Sequence, residues 1–268
     1  MKYLLKNMIR PLYYYFKNPN EREFQRLYTK WGGVKRYERI NNVKFLGFIF
    51  DIPDLQSFIW QFKEIFVDEI YKFNSNNKQP IIFDCGANVG TSCLYFKQLF
   101  PNAKIKAFEA DPMIGSVLQS NLSKNGINDV EIINKAVWID DNGIDFGSEG
   151  ADGGSINASN NKIKIESLRL KDFLEKEEKI DLLKIDIEGA EYEVLIDCKD
   201  DLKNVQNIFV EYHSWNSATQ KLSEILSIFE TNGFRYYIED ISKRKHPFVN
   251  HNQDVNMDLQ LNIFGYRD

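Results

Sequence analysis

The sequence predicts an α/β fold with a mostly parallel sheet of about seven strands, helices on both faces of the sheet and an N-terminal helical extension. Three observations predict it. Short apolar runs alternate with segments of helical spacing from residue 81 onwards. Gly86 and Gly90 follow the first run, where a strand would turn into a helix. The 268 residues are enough for one large core. We expect an extension over residues 1–53 and a main domain over residues 54–268.

Residues 1–16 predict a basic amphipathic helix. Lys2, Lys6 and Arg10 recur at every fourth position, and apolar side chains, Leu5 among them, occupy much of the opposite side. In one interpretation this helix rests on a membrane surface. In the other it packs on its own domain or on the second chain of a homodimer. The sequence leaves both interpretations open.

Two further elements precede the main sheet. Residues 21–31 predict a helix that ends at a pair of glycines, and residues 43–52 predict a pair of strands. Asp54 is a suitable N-cap for a longer helix, whose apolar residues keep helical spacing as far as Phe73. We expect this helix to cover one face of the sheet and its end, which includes Tyr71, to lie near the ligand crevice.

Residues 81–111 have the pattern of a strand, a helix and a second strand. An apolar run leads into a turn that contains Gly86 and Gly90, a helix-compatible segment follows, and the second apolar run ends at Glu109. Gly86 allows the backbone to turn sharply out of the strand. Gly90 allows the next helix to lie close against the sheet.

The spacing within this unit predicts a nucleoside site. Glu109 lies 25 residues after Asp84 (109 − 84). At the end of the second strand its carboxylate can accept hydrogen bonds from ribose hydroxyl groups. The turn directs the backbone N–H groups of the first helical turn, near Thr91 and Ser92, towards the ligand.

The same turn disfavours two common nucleotide sites. A dinucleotide fingerprint needs glycine at the positions of Asn88 and Thr91, and the lysine of a P-loop is missing after Gly90. A ligand with a ribose and no phosphate at the glycines remains. An Asp-x-Gly-x-x-x-Gly turn followed by a strand-end glutamate resembles the S-adenosylmethionine site of Rossmann-like methyltransferases. A purely structural turn is the alternative.

The pattern of strands and helices continues beyond this unit. Predicted helices cover residues 112–125, 168–178 and 218–232, and predicted strands cover residues 130–135, 163–165, 180–185, 207–212, 234–238 and 259–266. Ala136 is expected at the crevice edge, where adenine can contact apolar side chains. Residues 141–143, Asp-Asn-Gly, predict a hairpin turn. The polar residues 147–161, with Asp152 and Ser155, are either a lid or a surface loop.

Ionisable residues mark the ends of two later strands. Asp186 and Glu188 follow one predicted strand, and Glu211 and His213 end the next. Ligands of open α/β sheets bind outside the carboxyl ends of the strands, and residues two apart in an extended segment point the same way. If the two strands are neighbours, the four side chains converge beside the ligand.

These side chains suit methyl transfer to a hydroxyl group, which must lose a proton as it attacks a sulfonium. A positioned base accelerates such a step by about 10²–10⁴-fold. His213 is the expected base because an unperturbed pKa of roughly 6.5 leaves it mostly neutral at pH 7. Glu211 or Asp186 would then orient the imidazole. Alternatively Asp186, Glu211 and His213 hold a divalent metal ion, or His213 is structural.

Five sequence blocks together resemble the FkbM family of S-adenosylmethionine-dependent O-methyltransferases. Four of them are Phe-Asp-Cys-Gly-Ala-Asn-Val-Gly at 83–90, Ala-Phe-Glu-Ala-Asp-Pro at 107–112, Asn-Lys-Ala-Val at 134–137 and Val-Glu-Tyr-His at 210–213. The fifth, at 183–194, is the most specific and contains Lys-Ile-Asp-Ile-Glu-Gly-Ala-Glu. The resemblance covers about residues 60–215.

The resemblance implies a Rossmann-like class I methyltransferase fold and S-adenosylmethionine as the methyl donor. The cofactor-binding residues that it implies are Asp84, Gly86, Asn88, Gly90, Glu109 and, at the methionine end, Asp186. We add five residues from their places beside these elements: Tyr71, Thr91, Ser92, Ala110 and Ala136.

The family implies transfer to hydroxyl groups of polyketides, sugars and glycans. We expect a sugar of a bacterial capsule or lipopolysaccharide, or its nucleotide-linked precursor, because aromatic residues near the crevice suit stacking on sugar rings. The candidate substrate-binding residues are Glu188, Trp215, Asp152 and Ser155. The alternatives are metal-assisted O-methylation of a non-sugar natural product and a non-catalytic protein that binds a nucleotide-sugar or the cofactor.

Other functions lack their expected signals. A nucleobase amine methyltransferase needs an Asn-Pro-Pro-Tyr type of motif, where this chain has Asp-Ile-Glu-Gly at 186–189, and an epimerase needs a Tyr-x-x-x-Lys pair. The net charge of −5 disfavours a nucleic-acid partner.

Three cysteines fit reduced thiols, and no apolar run approaches the roughly 20 residues that span a bilayer. We expect a cytoplasmic protein.

Overall fold

The structure is a computed structural model that describes residues 17–147, 162–216, 218–241, 245–250 and 257–267. The helix predicted at residues 1–16 and the candidate substrate-binding residues Asp152 and Ser155 lie outside these ranges.

The first described elements confirm the predicted helix and strand pair. Helix α1 is Pro19–Trp31, and strands β1 (Ile40–Phe45) and β2 (Phe48–Ile52) pair antiparallel. Helix α2, Leu55–Phe62, begins at the predicted N-cap, because the Asp54 carboxylate accepts hydrogen bonds from the next backbone N–H groups. It continues only through one π-helical turn, Lys63–Val67, so it is shorter than its apolar spacing predicted.

The main sheet has seven strands, as predicted, and the strand Met257–Tyr266 runs antiparallel to its two neighbours. The strands that follow β2 are β3 (Ile81–Cys85), β4 (Lys104–Phe108), β5 (Val130–Ile133), β6 (Ala136–Trp138), β7 (Ile144–Gly147), β8 (Lys162–Ile165), β9 (Ser167–Arg169), β10 (Leu182–Ile185), β11 (Asn207–Trp215), β12 (Arg235–Asp240) and β13 (Met257–Tyr266). The order in the main sheet is β12-β13-β11-β10-β3-β4-β5. The order reverses between β3 and β10, where an open α/β sheet binds its ligand.

Five helices accompany these strands. They are α3 (Thr91–Leu99), α4 (Pro112–Lys124), α5 (Lys171–Leu174), α6 (Glu191–Asp197) and α7 (Leu222–Thr231). Buried side chains form two large clusters. The first cluster includes Phe24 of α1, Phe45 of β1 and Phe62 of α2, so the N-terminal elements share a core with the main sheet.

Two local predictions between β5 and β10 are wrong. Residues 141–143 do not form a hairpin turn, because β6 pairs parallel with β9 while β7 pairs antiparallel with β8. The helix predicted over residues 168–178 is only the short α5, since Ser167–Arg169 is the strand that pairs with β6. Tertiary pairing overrides local propensity in both places.

The two glycines of the β3–α3 turn have distinct packing reasons. Gly86 has φ +86°, and a Cβ there would lie 1.8 Å from the backbone oxygen of Asp186. Gly90 has φ +94°, and a Cβ there would lie 2.7 Å from a methyl carbon of Leu118. Gly90 therefore allows the β3–α3 turn to lie close to helix α4. The sequence had predicted that this glycine allows close contact between helix α3 and the sheet.

No helix of the described residues is long and apolar enough to cross a membrane. The three cysteines are free thiols and are buried.

Candidate active site

A cavity of about 320 Å³ lies at the carboxyl ends of the central strands. One part of its wall is apolar and is formed by Phe108, Ala110, Ala136, Val137, Ile144 and Phe146. Another part is polar and is formed by Asn88, Glu109, Asp186, Glu188, Glu211, Gln260 and Glu64. The cavity therefore offers an apolar surface for a flat ring and an acidic region for a cationic or hydroxylated group.

Glu109 faces the cavity from the end of β4. Its carboxylate accepts hydrogen bonds from the backbone N–H groups of Asn88 and Asp111, both at 2.9 Å. Asn88 adopts φ +48°, which aims its N–H at this carboxylate. Burial raises the pKa of Glu109 to about 7, although both backbone hydrogen bonds oppose the shift. The backbone thus fixes this carboxylate where a ribose partner was predicted.

A buried lysine holds the turn and two strand ends together. Lys184 of β10 forms ion pairs with Asp84 at 3.2 Å and with Asp186 at 3.4 Å, and it donates a hydrogen bond to the Gly86 carbonyl at 2.9 Å. Asp84 is fully buried and also accepts a hydrogen bond from the Ser92 hydroxyl. Lys184 is the cation that balances these carboxylates, and its pKa is raised well above the ordinary value: burial opposes the shift, and Asp84 and Asp186 cause it.

The predicted cofactor residues divide into two groups by position. Those that line the cavity are Tyr71, Gly86, Asn88, Glu109, Ala110, Ala136 and Asp186. Asp84, Gly90, Thr91 and Ser92 are not among the residues that line it, and Asp84, Thr91 and Ser92 are buried. A direct contact with the cofactor therefore stays a prediction for these last four residues.

The predicted convergence of the two strand ends is confirmed. Strands β10 and β11 are parallel neighbours. One ligand atom from each of Asp186, Glu211 and His213 lies within 4.8 Å of the others. His213 Nε2 is 3.6 Å from Glu211 and 3.7 Å from Glu188. Of the predicted substrate-binding residues, Glu188 lines the cavity, and Trp215 is not among the lining residues.

The residue that contacts the other imidazole nitrogen is Glu191, which the sequence analysis did not select. Its Oε1 is 3.0 Å from His213 Nδ1, and both side chains are about 1% exposed. Glu211 and Asp186, the predicted orienting residues, belong to the group on the cavity side of the ring. Glu191 lies in the family-like block at 184–191, so the block was the only sequence signal for it.

The surroundings of His213 shift its pKa away from the ordinary value on which the expectation of a neutral ring depended. Burial lowers the pKa of His213, but the charges of Glu191, Glu188 and Glu211 outweigh burial and raise it well above 6.5. Burial and nearby charges also shift the pKa of Glu211. Burial, with the nearby Asp186 charge, raises the pKa of Glu211 to about 8. The pKa values of the imidazole and of Glu211 are thus shifted in the same direction by their shared surroundings.

Two more residues of the site, Gln260 and Glu64, were not predicted from the sequence. Gln260 of β13 lies opposite His213 in the antiparallel pairing, and its amide donates to Glu211. Glu64 lies in the π-helical turn after α2, and burial raises its pKa to about 7. Neither residue has a local motif, because each reaches the site through long-range packing.

Comparison with known proteins identifies the family of this chain. The model of the methyltransferase FkbM domain matches residues 84–236. "Methyltransferase sdnD" of Sordaria araneosa is 31% identical over 216 residues, which cover 65% of this chain and 80% of that protein. "2-O-methyltransferase NoeI" of Sinorhizobium fredii is 29% identical over 155 residues, which cover 50% of this chain and 63% of that protein. The solved structure of methyltransferase FkbM from Methylobacillus flagellatus KT is 15% identical with a TM-score of 0.46, and the match covers 71% of this chain and 45% of that one. The chain therefore belongs to the FkbM methyltransferase family, and it is a methyltransferase with the α/β fold that its sequence predicted.

Proposed function

We propose that this protein transfers a methyl group from S-adenosylmethionine to a hydroxyl group of a sugar, in a bacterial surface polysaccharide or its nucleotide-linked precursor. The observation that carries the proposal is the position of His213. It lies among Glu188, Glu211 and Gln260, which line the same cavity as Glu109. A proton-accepting group thus stands close to a site suited to an adenosyl ligand.

The cavity residues fit S-adenosylmethionine. Glu109, fixed by two backbone N–H groups, would accept hydrogen bonds from the ribose hydroxyls. Ala136 and Phe146 belong to the apolar wall that would contact the adenine, and Asp186 would lie near the methionine end. Any side chain at Gly86 would collide with the backbone of Asp186 and disturb this wall. When bound, this cofactor supplies a methyl group on a sulfonium cation.

His213 and its carboxylate neighbours would take the proton from the acceptor. A hydroxyl group is a weak nucleophile, and a positioned base contributes about 10²–10⁴-fold to such a step. The surrounding carboxylates raise the pKa of the imidazole, so a proton held at Nε2 must leave before the ring can act as the base. Glu211 at 3.6 Å and Glu188 at 3.7 Å are in place to receive it.

One observation supports an oxygen as the methylated atom, and a second supports a sugar as the acceptor. The name of the relative NoeI specifies 2-O-methyl transfer, which is methylation of an oxygen. In this chain Trp60 lines the cavity with 48% of its surface exposed, and aromatic faces of this kind suit stacking on sugar rings.

Metal-assisted methyl transfer is the second candidate. Asp186, Glu211 and His213 offer three ligand atoms within 4.8 Å of one another, a combination of oxygen and nitrogen donors that suits a divalent ion. Such an ion would lower the pKa of the acceptor hydroxyl, so that water or a nearby carboxylate such as Glu188 could take the proton in place of His213.

One experiment separates these candidates. The protein is incubated with S-adenosylmethionine and a panel of nucleotide-sugars and free sugars, with and without EDTA, and products are detected by mass spectrometry. We expect one sugar to gain a single methyl group at the same rate in EDTA. Loss of turnover in EDTA that Mg²⁺ or Mn²⁺ restores would favour the metal, and methylation of non-sugar alcohols alone would overturn the sugar acceptor.

Replacing Glu109 tests the cofactor site. We expect Glu109→Ala to weaken S-adenosylmethionine binding by about 10- to 100-fold, because hydrogen bonds to a charged group contribute about 1.5–3 kcal/mol. Isothermal titration calorimetry measures the affinity. Glu131→Ala is the control, since the Glu131 side chain on β5 is 55% exposed and pairs with Lys106. Equal affinities for the two variants would place the ribose elsewhere.

A further inference from the structure

One carboxylate oxygen of Glu191 lies within hydrogen-bonding distance of three nitrogen atoms. Its Oε1 lies 2.9 Å from the Gly189 N–H, 3.2 Å from the Ile187 N–H and 3.0 Å from His213 Nδ1. The side chain of Glu191 is 1% exposed. Backbone N–H groups only donate, so this oxygen acts as an acceptor for all three groups.

The backbone before α6 is bent to make this arrangement. Glu188 adopts φ +55° and Gly189 φ +98°. A non-glycine residue in this left-handed region is uncommon, and such conformations concentrate at functional sites. The bend directs the N–H groups of residues 187 and 189 at the Glu191 carboxylate. The backbone therefore fixes the position of this carboxylate independently of the imidazole.

The acceptor character of Oε1 sets the direction of the hydrogen bond to the ring. His213 Nδ1 must carry the hydrogen, and in the neutral ring Nε2 then has the lone pair. The opposite side of the ring agrees with this assignment. The Gln260 amide nitrogen, a donor, lies 3.4 Å from Nε2. The acids on that side would favour a proton on Nε2, but the oxygens of Glu211 and Glu188 lie 3.6 and 3.7 Å from it, whereas Glu191 Oε1 lies 3.0 Å from Nδ1. The shorter contact therefore favours the hydrogen on Nδ1.

We propose that Glu191 is the positioning residue of the site, and that it holds His213 in the tautomer with Nδ1 protonated and Nε2 directed at the cavity side. Its use in proton transfer depends on the proposed function, whereas the tautomer is a property of the protein without ligands. A carboxylate or carbonyl on the far nitrogen is a common way to fix a functional imidazole.

The test is nitrogen NMR of ¹⁵N-histidine-labelled protein in alkaline buffer, where the ring is neutral. The chain has three histidines, and a His213→Asn sample identifies the signals of His213. We expect a protonated Nδ1 and an unprotonated Nε2 in the unaltered protein. Glu191→Gln should keep this pattern, because an amide oxygen still accepts from Nδ1. Glu191→Ala should favour the Nε2-protonated form, which predominates in water.

Steady-state kinetics provides a second test, which distinguishes the loss of this hydrogen bond from a general loosening of the packing. Glu191→Ala should lower kcat by about 10- to 100-fold, as the loss of comparable supporting partners does, with KM for S-adenosylmethionine unchanged. Glu191→Gln should recover much of the loss. A protonated Nε2 in the unaltered protein would overturn the proposal, even if neither variant folded. Absence of methyl transfer in the unaltered protein would instead overturn the proposed function and leave the tautomer standing.

Discussion

Replacing His213 with asparagine is expected to lower kcat by about 10²–10⁴-fold and to leave the affinity for S-adenosylmethionine unchanged. The amide nitrogen of asparagine can take the place of Nδ1 and keep the hydrogen bond to Glu191. It has no counterpart of Nε2, the nitrogen near Glu188 and Glu211. The variant therefore removes the proton acceptor and keeps the partner of a buried carboxylate. Steady-state kinetics and calorimetry measure the two quantities.

The control for this variant is His246→Asn. His246 lies in the exposed loop at residues 245–250 with φ +56°, a conformation that asparagine tolerates well. We expect wild-type kinetics for it. A His213→Asn enzyme that methylates the sugar at the wild-type rate would show that His213 is structural. A His213→Ala variant is less informative, because it leaves the Glu191 carboxylate buried without its imidazole partner.

Replacing Lys184 with methionine is expected to lower the free energy of unfolding by about 3–5 kcal/mol, the usual cost of removing one partner of a buried ion pair. The Lys184 side chain is 3% exposed and that of Asp84 is fully buried. Without the ammonium group, Asp84 would keep an uncompensated charge in the core. Urea denaturation followed by circular dichroism measures the change.

Two further variants sharpen this test. Lys179→Met removes a lysine that is 55% exposed and lies 3.4 Å from Asp181, and it should cost about 1 kcal/mol or less. The double variant Lys184→Met with Asp84→Asn should be more stable than Lys184→Met alone, because it removes the stranded charge. If Lys184→Met costs no more than Lys179→Met, Lys184 does not hold the site together.

Local sequence signals were sufficient for the elements that begin and end within a few residues. The Asp54 cap of α2 and the glycines at 86 and 90 could be predicted, because each acts on its immediate neighbours in the chain. The same signals were insufficient at 141–143 and 168–178. In this region β6 pairs with β9 and β7 pairs with β8. Pairing between strands distant in the sequence thus overrides the local turn and helix signals.

The sequence also located the candidate site, because strand ends in a parallel sheet meet at one edge. Asp186 and Glu211 were placed together on that rule, and the parallel pairing of β10 with β11 confirms it. The roles of these residues in catalysis stay predictions, to be decided by the variants described above.

By itself the sequence determined the fold class, the family and the crevice, since these follow from apolar periodicity, glycine positions and motif spacing. Only the tertiary structure decided how the charges are arranged. It placed Lys184 between Asp84 and Asp186, and it put Glu191 on one side of His213 and the other acids of the site on the opposite side. The physical reason is that a proton's position depends on every charge within a few ångströms, and those neighbours come from strands and turns far apart in the chain.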